Sequence, residues 1–125
     1  MLLGTGIDII EIKRIKSAME KSAFIERFFT IAERDYCESR RVGRFSSYAA
    51  RFAGKEAFVK ALGTGFRGGS FKDISIENDE KGCPQVKLSG YYLEIFACRK
   101  ISKIHISLSH CKEFAVAQVV LEGQV

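Results

Sequence analysis

The chain of 125 residues predicts an α+β domain, in which helices pack on strands joined as antiparallel hairpins. Three observations carry that prediction. Apolar residues at steps of three and four from Phe45 to Ala57 mark a long helix. Two pairs of alternating segments, 73–77 with 85–88 and 104–110 with 114–121, are each separated by a short turn. A further alternating segment opens the chain at Leu2. The length and a hydrophobic content of 46% suit one core, and with Pro84 as the sole proline there is no linker, so residues 1–125 read as a single domain.

In chain order, Leu2 to Ile10 reads as a strand in which Leu3, Thr5, Ile7 and Ile9 alternate with Gly4, Gly6, Asp8 and Ile10. Asp8 thus shares a face with two glycines. They would admit a phosphate or another chain close to the backbone; alternatively, Asp8 caps the following helix. Glu11 to Lys21 follows as a helix, and Thr30 with Glu33 forms a capping-box spacing that starts another, interrupted at Gly43. The long helix begins near Phe45 or Ser46, with Phe45, Ala49, Phe52, Ala53 and Ala57 as its buried stripe.

Glu56 and Lys60 lie on the border of that stripe. Their spacing fits an exposed pair contributing about 0.2–0.5 kcal/mol. It fits equally a partly buried carboxylate that needs a cation, because burying it alone would cost several kcal/mol. Gly63, Thr64 and Gly65 stop the helix, with Gly63 suited to a left-handed terminus. A hairpin, a helix from Tyr91 to Lys100 and a second hairpin complete the chain. The segment from Phe114 to Leu121 is apolar on both faces, as befits a central strand.

Charge is unevenly placed. Of a net +5, residues 40–67 supply seven cations (Arg40, Arg41, Arg44, Arg51, Lys55, Lys60, Arg67) against the single acid Glu56, so the remainder sums to −1. Such a segment suits a polyanion or an acidic partner. The sequence carries no RNP, KH or zinc-finger signature, and no apolar run long enough for a membrane span, so neither nucleic acid nor membrane is the expected partner. Cys37, Cys83, Cys98 and Cys111 lack metal-ligand spacing and read as reduced thiols. The amino terminus has no basic n-region followed by a long apolar stretch, and the expected location is the cytoplasm.

Four segments together resemble one family. Gly4-Thr-Gly-Ile-Asp8-Ile-Ile-Glu11, Phe28-Phe-Thr-Ile-Ala-Glu33, the run from Arg51 through Lys55, Glu56 and Lys60 to Gly65, and Ile106-Ser-Leu-Ser-His110 are similar to the holo-acyl-carrier-protein synthases, the short bacterial 4′-phosphopantetheinyl transferases. Gly54 departs from the family's usual alanine and would loosen the helix by up to about 1 kcal/mol. Ser109, often threonine in the family, keeps a hydroxyl.

The resemblance implies an antiparallel sheet packed by a long helix and shorter helices, assembled as a homotrimer with active sites between subunits. It implies Mg²⁺-dependent transfer of phosphopantetheine from coenzyme A to a serine of apo acyl carrier protein, releasing adenosine 3′,5′-bisphosphate, in service of fatty acid biosynthesis. Asp8 and Glu56 are the implied metal ligands, and Lys60 the implied contact to the pyrophosphate. Gly63, Thr64 and Gly65 would line the pantetheine and phosphate site, with Arg51 and His105 on the nucleotide phosphates. Arg14, Arg27 and Arg44 would receive the acidic carrier protein. The serine proton goes to Glu56 or to a metal-bound water, a choice the sequence leaves open.

Overall fold

Strand β1 (Leu2–Glu11) puts Gly4, Gly6 and Asp8 on one face because side chains alternate along a strand. The computed structural model describes residues 1–124. β1 runs antiparallel to β5 (Phe114–Gly123), with Asp8 opposite Ala117, and β5 also pairs with β4 (Ile101–His110). The order β1-β5-β4 makes β5 the central strand, in line with its two apolar faces. A separate hairpin joins β2 (Ile74–Asn78) to β3 (Pro84–Leu88).

The long helix α4 (Arg44–Leu62) lies across the glycine-bearing face of β1. A Cβ at Gly4 or Gly6 would overlap the carbonyl oxygen of Ala61 or Ala57. The two glycines therefore admit the backbone of α4, rather than a phosphate or a second chain, and this close approach brings Asp8 to the helix. Ala49, Ala53 and Ala57 are buried as the spacing predicts, whereas Phe45 and Phe52 are only half-buried. The predicted stripe is too narrow. Tyr48, Phe58, Val59 and Leu62 are buried on other faces of α4, because the helix is enclosed by the sheet, the shorter helices and the hairpin.

Gly54 also has a packing role. A Cβ there would overlap Cδ1 of Ile76 and press on Ile106 and Leu108, so its absence lets the hairpin and β4 close on α4. The helix predicted over 11–21 is shorter: α1 covers Ile12–Ala18, and Ser22–Phe28 forms a separate α2. Glu11 occupies the N-cap position of α1 without a side-chain cap, so Asp8 does not cap it. α3 (Ile31–Ser39) starts at the expected capping box, with the Glu33 amide donating to Thr30 Oγ1 at 3.2 Å and the Thr30 amide to Glu33 Oε1 at 2.9 Å. A single 3₁₀ turn, Arg41–Gly43, separates α3 from α4. Helix α5 (Gly90–Cys98) closes the far end, where Tyr92 packs edge-on against Phe58.

One buried ion pair ties these layers together. Lys55 Nζ lies 2.7 Å from Glu33 Oε1, and both side chains are fully buried. Lys55 also donates to the carbonyls of Phe71 (2.9 Å) and Ile74 (2.6 Å), while Glu33 Oε2 accepts from the Ile76 amide at 2.8 Å. Lys55 spends all three of its donors inside the core. It is therefore no part of the basic surface that the charge count suggests. Among the cysteines only Cys37 is buried; Cys83, Cys98 and Cys111 are exposed free thiols. Among the described residues, no helix is long and apolar enough to cross a membrane.

Candidate active site

Asp8 from β1 and Glu56 and Lys60 from α4 converge where the strand passes under the last turns of the helix. Lys60 Nζ donates to Asp8 Oδ1 at 2.9 Å and to the Ile7 carbonyl at 3.0 Å. Glu56 makes no ion pair among the described residues. The Glu56–Lys60 surface pair that the spacing allows thus does not form: Lys60 crosses to the strand instead. Burial pushes the half-buried Glu56 carboxyl above its ordinary value, and the charge of Asp8 adds to that rise while Lys60 opposes it.

The donor set fits a hard divalent cation. A desolvated carboxylate raised by a second one gains from an added positive charge, and Mg²⁺ takes one or two carboxylates alongside water and substrate phosphates. No group of three or more His, Cys, Asp or Glu side chains suited to a metal occurs among the described residues. Asp8 and Glu56 alone would supply the protein ligands, leaving the other positions to substrate oxygens and water.

Just beyond Lys60, Gly63 ends α4 in the left-handed region at φ 79°, its amide donating to the Lys60 carbonyl at 2.9 Å. Gly65 is also left-handed, at φ 70°, and open space surrounds both glycines. Arg67 Nε donates to the Thr64 carbonyl at 2.7 Å, and Phe66 stacks on Phe71 with ring centroids 4.2 Å apart, which folds the loop back on the hairpin side.

Arg51 is elsewhere. It is 3% exposed and lines a separate cleft of about 540 Å³ with Tyr36, Arg40, Asn78, Ser109 and His110, a lining that includes none of Asp8, Glu56 or Lys60. His105 lies outside that cleft on an exposed part of β4, where Nε2 sits 2.8 Å from Glu122 Oε1. The imidazole that lines the cleft with Arg51 is that of His110, the last residue of the Ile106-to-His110 segment. Strand periodicity places it with the apolar set and gives no sign of the cleft, which depends on α3 and the hairpin.

The candidate docking arginines occupy three elements. Arg14 on α1 rims a shallow groove with Lys21 and Phe24. Arg27 on α2 lies over the Phe28 ring, and Arg44 at the start of α4 pairs with Glu38 at 2.7 Å. Arg44 is thus already engaged.

Comparison with known proteins places the chain in a family. The 4′-phosphopantetheinyl transferase superfamily model matches residues 4–119. The holo-[acyl-carrier-protein] synthase of Clostridium tetani is 50% identical over 99% of this chain and 98% of its own. A crystal structure of a holo-(acyl-carrier-protein) synthase from Bacillus anthracis, in complex with CoA (3′,5′-ADP), superposes with a TM-score of 0.82 at 42% identity over 99% of each chain. The Helicobacter pylori synthase in complex with coenzyme A gives 0.80 at 37% identity, over 94% of this chain and 99% of that one. The chain belongs to the 4′-phosphopantetheinyl transferase superfamily and, within it, to the holo-[acyl-carrier-protein] synthases.

Proposed function

We propose that residues 1–125 form one cytoplasmic transferase domain that moves 4′-phosphopantetheine from coenzyme A to a serine of apo acyl carrier protein, for fatty acid biosynthesis. The observation that carries this reading is the convergence of Asp8, Glu56 and Lys60 beside the Gly63–Gly65 loop. The serine oxygen forms a bond to the phosphorus that bears pantetheine. The diphosphate P–O bond breaks, and adenosine 3′,5′-bisphosphate leaves.

Asp8 and Glu56 would hold Mg²⁺. The chemistry such an ion supplies is neutralisation of charge on the diphosphate during transfer. Lys60, a compact cation at the edge of the carboxylate pair, stabilises the negative charge that develops on the leaving phosphate. The serine proton would pass to Glu56 or to a metal-bound water. Gly63, Thr64 and Gly65 line the path of the pantetheine arm, where the open backbone admits close approach.

Arg51 contacts the nucleotide phosphates together with His110, which lines the same cleft, whereas His105 is paired with Glu122 and does not line it. That cleft is apart from the carboxylates, and the outer face of β1 exposes Ile7 (62%) and Ile9 (65%). Both features support a homotrimer, in which a neighbouring copy covers the apolar face and brings its Arg51 cleft to the Asp8–Glu56 pair. Arg14 and Arg27, the less engaged docking arginines, receive the acidic carrier protein, and complementary charge speeds that encounter.

Incubation with coenzyme A, Mg²⁺ and folded apo carrier protein, followed by mass spectrometry, tests the reading. A phosphopantetheine adduct on the carrier protein is the expected result, and its absence contradicts the transfer. Light scattering behind size-exclusion chromatography tests the assembly, with a clean monomer contradicting the trimer.

A further inference from the structure

The cleft around Arg51 contains an arrangement that the transfer chemistry alone does not require. A guanidinium has five N–H donors. At Arg51, Nη1 donates to Ser47 Oγ at 3.2 Å, Nη2 donates to Asn78 Oδ1 at 3.2 Å, and the buried Nε has no partner. No carboxylate among the described residues forms an ion pair with it. The guanidinium carbon lies 4.4 Å from the centre of the Tyr36 ring, and the same ring lies 5.8 Å from the guanidinium carbon of Arg40.

All of these partners are uncharged. A buried cation is costly without a counter-charge. Here the ring and the two oxygens hold Arg51 in place and leave its charge without a counter-ion at the cleft that it lines with Arg40 and His110. Ser47 is four residues before Arg51 on the same helix, so it steers the side chain only along α4. Asn78 ends β2 and Tyr36 sits on α3. These two residues bring the hairpin and α3 to bear on one guanidinium.

We propose that Tyr36 and Asn78 are positioning residues for binding of the donor nucleotide: they aim Arg51, and Tyr36 also Arg40, at a phosphate while contributing no charge of their own. The inference rests on the proposed transfer and adds to it the residues that set donor affinity. Because they act on binding, their loss raises the donor KM and leaves the saturated rate intact.

The test uses Asn78→Ala, Asn78→Asp, Tyr36→Leu and Tyr36→Phe in the full chain. Each is read by KM and kcat for coenzyme A and by calorimetric Kd for adenosine 3′,5′-bisphosphate. Asn78→Ala and Tyr36→Leu raise KM and Kd about three- to tenfold with kcat within about twofold. Asn78→Asp raises them further, because its carboxylate neutralises Arg51, and Tyr36→Phe, which keeps the ring, restores the wild-type values. Should Tyr36→Leu fail to fold, the two Asn78 variants decide. Unchanged KM and Kd in both, alongside a strong rise in Arg51→Ala, overturns the positioning role. A wild-type protein that forms no adduct contradicts the transfer reading instead, so the two failures are distinguishable.

Discussion

Lys60 reaches from α4 to Asp8 on β1, its ammonium 2.9 Å from Oδ1, and not back to Glu56 one turn earlier on its own helix. The crossing follows from Gly4 and Gly6, which lower the helix onto the strand, and it leaves Glu56 as a half-buried acid with no ion pair among the described residues. Lys60→Met should lower kcat about a hundredfold, the loss typical of removing one preorganised donor to developing charge. Lys60→Arg should not restore it, since a planar fork cannot replace a compact ammonium at this spacing. Steady-state kinetics with a circular-dichroism control checks both variants.

Glu56 sets a pH signature. Its folded-state pKa is raised, so the folded chain holds this proton more tightly than the unfolded chain. That contribution favours the fold at acidic pH and is lost as pH rises through the raised folded pKa. Glu56→Gln removes the cost of ionising a desolvated acid. In metal-free buffer its urea midpoint should exceed that of the wild type at neutral pH, and the gap should close as pH falls. A gap that widens toward acid contradicts the assignment.

Gly6→Ala should destabilise the fold by about 1–3 kcal/mol, the usual cost of forcing extra volume into a packed contact. The obstacle is the Ala57 carbonyl, a backbone group that cannot rotate aside. Urea unfolding measures the loss, and a variant of wild-type stability would contradict the close approach of β1 to α4.

The Glu33–Lys55 pair gives a third stability test. Lys55→Met strands a buried carboxylate and should cost about 3–5 kcal/mol. Replacing both partners by apolar residues often recovers such a loss, but here the Phe71 and Ile74 carbonyls and the Thr30 and Ile76 amides would lose their partners too. The double variant Glu33→Leu with Lys55→Met should therefore regain little, and full recovery in a double-mutant cycle would contradict this bonding pattern.

Period-two alternation and helical spacing make β1, α4 and both hairpins legible in the sequence, because each is a local pattern repeated over several residues. The capping box at Thr30 is legible for the same reason, being complete within four residues. Helix α2 is not: it has seven residues and its N-cap position, Lys21, gives no side-chain cap, so packing of its phenylalanines sustains it. Lys55 reads as one more surface cation because its partner Glu33 lies 22 positions away and meets it only in the folded core. The reach of Lys60 to Asp8 spans 52 positions and is likewise tertiary. His110 and Asn78 escape notice since their cleft is assembled from α3, α4, β4 and the hairpin, and no short segment contains it.

The central claim is that Asp8 and Glu56 together support the transfer, and single-turnover adduct formation across an Mg²⁺ titration tests it most directly. Wild-type protein should modify the apo carrier protein with a saturable dependence on Mg²⁺ that chelator abolishes. Asp8→Asn and Glu56→Gln should each lose the reaction while keeping the wild-type circular-dichroism spectrum and assembly state. Near-normal turnover by either variant at any Mg²⁺ concentration would contradict the account.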